Sequence, residues 1–241
     1  MARVATRRRG IPAPFNAKFL PNHPLRQSTS IAFSNMIRRM KFALAVLLLA
    51  SAKVAVAQDI SPAGLPAGSI TKGAWDFGLL GGGGTGLGYA KQVQFLYAGG
   101  RIGRILTEDH GTGLRRGNFE WAVEMLPVYT VLMPTGTVYG GSFKPAVWRW
   151  NFTSGKTVAP YASIAGGILF STRNLPPGNT SWVNFTPQAA LGANIFLQRR
   201  KALQIEAAYV HHSNAGLSTY NPGYNASLFF TVGFSWFKPK E

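Results

Sequence analysis

From Gly73 onward, apolar and polar residues alternate with period 2, in segments of roughly ten residues or more separated by turn chemistry. Eight such segments can be drawn, at 73–82, 91–106, 117–130, 137–152, 158–171, 182–197, 201–212 and 225–237. In the last, Leu228, Phe230, Val232, Phe234 and Trp236 fall on one face, and Ser227, Thr231, Gly233 and Ser235 on the other. In the third, Phe119, Trp121, Val123 and Met125 alternate with Glu120, Ala122 and Glu124, which sends both carboxylates the same way. One face suits lipid and the other a packed, mildly polar interior. Eight is also the smallest even strand number of a bacterial membrane barrel, so the expected fold is all-β, an eight-stranded antiparallel transmembrane β-barrel. Glu120 and Glu124 then point inward, toward interior Arg or Lys partners.

The punctuation agrees. Thr153-Ser154-Gly155-Lys156 and Gln198-Arg199-Arg200-Lys201 read as short turns, whereas Ser171 to Ser181 and Ser213 to Asn225 are longer. With a periplasmic N-terminus, odd segments run outward and both longer loops lie outside; the connection 107–116 is long for a periplasmic turn. Aromatics gather near segment ends (Trp148, Trp150 and Phe152; Trp236 and Phe237), as in interfacial girdles. The last strand ends in an aromatic close to the terminus, which resembles the assembly signal of outer-membrane proteins. A soluble β-sandwich or lipid-binding barrel would explain the alternation, but not the aromatics on the outer face. The Gly-rich run Gly81 to Gly88 has no Gly-Lys-Ser/Thr after it and no βαβ unit around it, so it reads as a flexible hairpin loop rather than a phosphate cradle.

Charge changes the picture at the N-terminus. The formal net charge is +17, yet residues 1–57 hold ten basic residues and no Asp or Glu, leaving fifteen basic against eight acidic residues beyond them. Ile37-Arg38-Arg39-Met40-Lys41 is a charged n-region, Phe42 to Ala50 an apolar h-region, and Ala55-Val56-Ala57 an A-x-A cleavage site. The expectation is therefore a signal peptide over 36–57 and a barrel over 58–241. Residues 1–35 are expected to be a non-native or extended N-terminus, with translation starting at Met36 or Met40. With the basic block removed by processing, nucleic acid is not an expected partner. The absence of cysteine excludes disulfides, thiolate metal sites and a cysteine nucleophile.

The chemistry concentrates in Tyr209-Val210-His211-His212-Ser213-Asn214-Ala215-Gly216-Leu217. On a strand, His211 and Ser213 share a face about 7 Å apart along the chain. Ser needs a base to become a nucleophile, and His is the side chain that can take its proton. Counting back by twos from His211 gives Tyr209, Ala207, Ile205 and Leu203, so the pair is expected to face lipid, which suits a membrane lipid as substrate. The same run also reads as a plain polar loop entry at the membrane interface.

His211-x-Ser213-Asn214-Ala215-Gly216 resembles the signature of PagL-type lipid A 3-O-deacylases, eight-stranded barrels of the bacterial outer membrane. The resemblance is loose over the mature region and good over roughly the last thirty residues. It implies a serine esterase with Ser213 as nucleophile, His211 as base, and an oxyanion site at Asn214 with backbone N–H groups near Gly216. Lipid A, or lipopolysaccharide, would be the substrate, and the arrangement needs no cofactor. The departure is at the third member, where the family has Glu and this chain has Asn225. An Asn can orient the imidazole but offers it no negative charge. The alternative is a catalytically impaired barrel that is structural or binds a hydrophobic ligand. Adjacent His211 and His212 point to opposite faces and suit no shared metal ion. A homodimer is left open.

Overall fold

The computed structural model describes residues 69–240 except Lys156. The expected signal peptide, the Gln58 start and the N-terminal extension lie outside the described residues. The described chain is built of β1 (Trp75–Gly86), β2 (Gln94–Ile105), β3 (Gly117–Met133), β4 (Gly136–Phe152), β5 (Val158–Leu175), β6 (Ser181–Phe185), β7 (Gln188–Gln198), β8 (Lys201–His212) and β9 (Tyr224–Lys238). All pairings are antiparallel. The order β4-β3-β2-β1-β9-β8-β7-β5-β6 closes through β4–β5. β6 and β7 both pair with β5 and follow one course, so the nine strands make a closed eight-stranded barrel. The expected sixth segment is thus broken at Thr186-Pro187, where Pro187 has no N–H to give a ladder.

The Gly-rich run corrects the sequence reading: residues 81–86 are strand, paired with β9 throughout and with β2 as far as Thr85. Side-chain space explains the composition. A Cβ on Gly82 would run into the Phe230 carbonyl and lie 2.6 Å from the Tyr97 hydroxyl, and one on Gly84 would meet the Phe229 ring. Glycine there lets Tyr97 and Phe229 stack face to face across β1, with centroids 5.4 Å apart. The first hairpin loop is the shorter stretch 87–93.

Burial alternates as expected, with the apolar face outward and the polar face inward. Exposed large apolar residues recur around the outer wall, among them Leu79, Ile102, Ile164, Leu191 and Phe230. The interior holds Asp76, Arg101, Glu120, Glu124 and Arg149, all buried. Arg101 binds Asp76 at 3.3 Å, Glu124 at 3.4 Å and Glu120 more closely, and Lys144 binds Glu124 at 2.9 Å. Arg149 lies 3.7 Å over the Tyr161 ring, and the Tyr161 hydroxyl donates to Glu206 at 3.0 Å. Glu120 and Glu124 therefore point inward to basic partners.

Apolar layers cap this charged middle. Toward one end sit Phe95, Tyr97, Tyr129, Tyr224 and Phe229 around His212; toward the other, Ile70, Ile105, Phe196 and Phe237. Phe237 belongs to this second layer, 5.4 Å from Phe196, rather than to an outer girdle; Trp236 does face out. The 107–116 connection is ordered by Asp109, whose carboxylate accepts from Arg116, Asn118 and Thr153 at 2.8–3.0 Å.

Removing one member of a buried ion network leaves charges uncompensated, at a cost of about 3–5 kcal/mol. Arg101→Ala is expected to destabilise the refolded barrel by that order, whereas Arg placed at Ile164 on the outer wall should cost about 2–4 kcal/mol in lipid. Urea titration in liposomes checks both.

Candidate active site on the outer wall

The site grows from the end of β8. Along Tyr209-Val210-His211-His212-Ser213-Asn214, burial alternates without a break, so His211 and Ser213 share the outer face and His212 and Asn214 turn inward. Ser213 lies one residue beyond β8 and continues its line by bridging Phe185 of β6: its N–H donates to the Phe185 carbonyl at 3.1 Å, and its carbonyl accepts from Phe185 N–H at 2.7 Å. His211 N–H donates to the Pro187 carbonyl at 3.0 Å. The break at Thr186-Pro187 thus sits beside His211, and both candidate residues hang from a backbone held on this side.

On the other side the register slips. Val210 pairs with Ser227 and His212 with Tyr224, so His211 alone stands opposite Asn225-Ala226. This β-bulge places the backbone of Asn225 beside that of His211, which spacing alone left open. His212 anchors the inner face, stacked on Phe95 at 4.9 Å with its Nε2 3.1 Å from the Tyr129 hydroxyl.

Asn214 shapes the loop that follows. Its backbone N–H donates to Asn221 Oδ1 at 3.0 Å, its Nδ2 donates to the Tyr220 carbonyl at 3.1 Å, and its Oδ1 accepts Gly216 N–H at 2.9 Å. Gly216 N–H is therefore engaged within the loop rather than turned to a ligand, and one of the two Asn214 amide hydrogens is used. Ala215 and Gly216 both take positive φ, 49° and 84°. For Ala215 that is a left-handed conformation costing about 1–2 kcal/mol, two residues beyond Ser213. Ser218 and Tyr89 tie the loop to its neighbours through the carbonyls of Asn179 (2.7 Å) and Pro222 (2.9 Å).

Further along the same outer face of β8, beyond the exposed Tyr209 and starting at Ala207, lies a groove of about 430 Å³, lined by Leu191, Ala193, Ile205, Ala207, Phe230 and Val232. Register explains it: Ala207 stands between Leu191 and Phe230, a small side chain between two large ones. Sequence reading named neither this groove nor Phe185 and Asn221. The alternation of Ala with larger residues in β7 and β8 was the available signal for the groove; the bridge of Phe185 to Ser213 depends on tertiary pairing.

A closed antiparallel barrel with an apolar outer wall and a charged, packed interior defines an integral outer-membrane protein. The family model described as lipid A 3-O-deacylase (PagL) matches residues 71–235. The chain belongs to this family, and its place is the bacterial outer membrane. Among solved structures it is similar to the N-terminal β-barrel domain of Pseudomonas aeruginosa OprF, at 13% identity over 69% of this chain and 98% of that one, with a TM-score of 0.45. It is also similar to the outer membrane enzyme PagL, at 17% identity over 67% of this chain and 98% of that one, with a TM-score of 0.39. No curated protein matches the chain.

Replacing Asn214 by Ala removes two side-chain hydrogen bonds and should loosen the 213–223 loop by about 1–3 kcal/mol. Faster proteolytic nicking within that loop, with the barrel core intact, is the expected result.

Proposed function

We propose that this barrel is a serine esterase that removes an ester-linked acyl chain from lipid A. The observation that carries the reading is the placement of His211 and Ser213 together on the lipid-facing wall at the end of β8, in a chain of the deacylase family. A nucleophile facing the bilayer reaches a lipid without extracting it, and the groove below offers an apolar path for an acyl chain.

In the proposed reaction Ser213 Oγ attacks the ester carbonyl while His211 takes the hydroxyl proton. The tetrahedral intermediate collapses, and the sugar oxygen leaves with the proton from His211. Water, deprotonated in turn by His211, then attacks the acyl-enzyme and releases the fatty acid and Ser213. Asn225 is assigned the orienting role beside His211, which its backbone position opposite that residue supports. The oxyanion is assigned to the backbone N–H of Ala215 in the strained turn, because those of Ser213, Asn214, Gly216 and Leu217 donate within the protein, and Asn214, turned inward, serves by holding that turn. Gly216 serves this site by shaping the turn.

Mass spectrometry of lipid A from cells expressing the intact protein or Ser213→Ala, with equal heat-modifiable mobility of both barrels, tests the proposal. Loss of one ester-linked chain only with the intact protein is expected. Identical spectra would sink it in favour of a structural or hydrophobic-ligand-binding barrel. In the same assay Asn225→Glu should raise turnover roughly tenfold or more, because it returns a charge to the imidazolium.

A further inference from the structure

A second groove, of about 530 Å³, lies on the outer wall of β9, β1, β2 and β3. Its sides are Phe77, Leu79, Ile102, Val123, Met125 and Trp236, with Gly78 and Gly100 lowering the surface between them. One row of paired residues, Val123, Ile102, Phe77 and Trp236, crosses it from β3 to β9.

The adjacent row, two residues nearer the end where β1 begins and β9 finishes, has a different character. It reads Trp121, Arg104, Trp75, Lys238 across the same four strands, aromatic and cation in alternation. Arg104 lies with its guanidinium carbon 4.6 Å from the centre of the Trp75 ring. Neither Arg104 nor Lys238 has a carboxylate partner among the described residues. The acidic residues in the 106–116 connection at this end, Glu108 and Asp109, are paired with Lys72 and Arg116. Lys201 adds a further cation opposite Trp236.

We propose that this groove binds one anionic glycerophospholipid, with an acyl chain along the apolar trough and the phosphate held between Arg104 and Lys238. The two cations flank Trp75 across two strand spacings, roughly 10 Å, a gap that long Arg and Lys side chains close onto one phosphate. Two cations with no carboxylate partner among the described residues attract a headgroup of net negative charge over a zwitterion. An apolar partner helix or barrel seated here would bury both charges without compensation. With the N-terminus periplasmic, the site belongs to the periplasmic leaflet, and so to phospholipid rather than lipopolysaccharide. The proposal is independent of any role for Ser213.

Native mass spectrometry of the full barrel in neutral detergent, titrated with phosphatidylglycerol or phosphatidylcholine, tests it. One phosphatidylglycerol is expected to stay bound per barrel. R104Q/K238Q should weaken that binding roughly thirtyfold, about fivefold per charge, and weaken phosphatidylcholine binding by much less, so that the preference between the two lipids is lost. The unmodified barrel supplies a test without substitution: raising salt from about 0.01 to about 1 M should erase most of the preference. Equal binding of the two lipids by the unmodified barrel, or undiminished phosphatidylglycerol binding by the folded double variant, overturns the proposal.

Discussion

The seam between β1 and β9 is the constraint on which the other features rest. It runs for twelve pairs, from Trp75 opposite Lys238 to Gly86 opposite Ser227. In hydrocarbon each unmade backbone hydrogen bond costs several kcal/mol, so a sheet of this length in a membrane either closes or does not form. Closure at eight strands leaves an interior only wide enough for side chains. Hence one wall must be thin where the facing walls are thick. β1 supplies the thin wall with its glycines, and Tyr97 and Phe229 fill the room they leave.

The same narrowness decides where chemistry can occur. The middle of the lumen is filled by ion pairs that centre on Arg101 and Arg149, and its ends by aromatic and aliphatic layers. Such a network is a weak source of net stability, because desolvation offsets much of the attraction, but it penalises every arrangement that leaves one member alone. It fixes which face of each strand turns inward. With the inside committed, His211 and Ser213 and both apolar grooves are on the outside, where the solvent is lipid.

Much of this was legible in the order of residues. Period-2 alternation in β3 sent Glu120 and Glu124 inward, and alternation in β8 put His211 outward, because a barrel in lipid tolerates no error of face. The failures share a cause. Glycine carries no side chain to mark a face, so residues 81–86 looked like a loop; their strand state follows from aromatics on β2 and β9 that local reading cannot bring together. The break at Thr186-Pro187 gains meaning only when Ser213 is seen bridging Phe185. Asn214, given an oxyanion role by the resemblance, is turned inward beside His212 in the structure, which uses its amide to hold the turn.

On the proposed esterase reading, the bulge opposite His211 separates two properties that a triad's third residue usually combines. One is position, which the slipped register supplies by setting Asn225 next to His211 whatever its side chain. The other is charge, which matters more at the edge of a bilayer than in water because the local dielectric is lower. A carboxylate at this place would favour the imidazolium but would itself lose hydration against the lipid. An amide avoids that penalty and can still accept a ring N–H to fix the tautomer. On the esterase reading, Asn225 therefore keeps geometry and gives up electrostatic assistance, so the proton on His211 is less well held while the sugar oxygen leaves. Catalysis by such a site leans harder on the strained turn beside Ser213 and on the acyl groove, which act on the substrate rather than on the base.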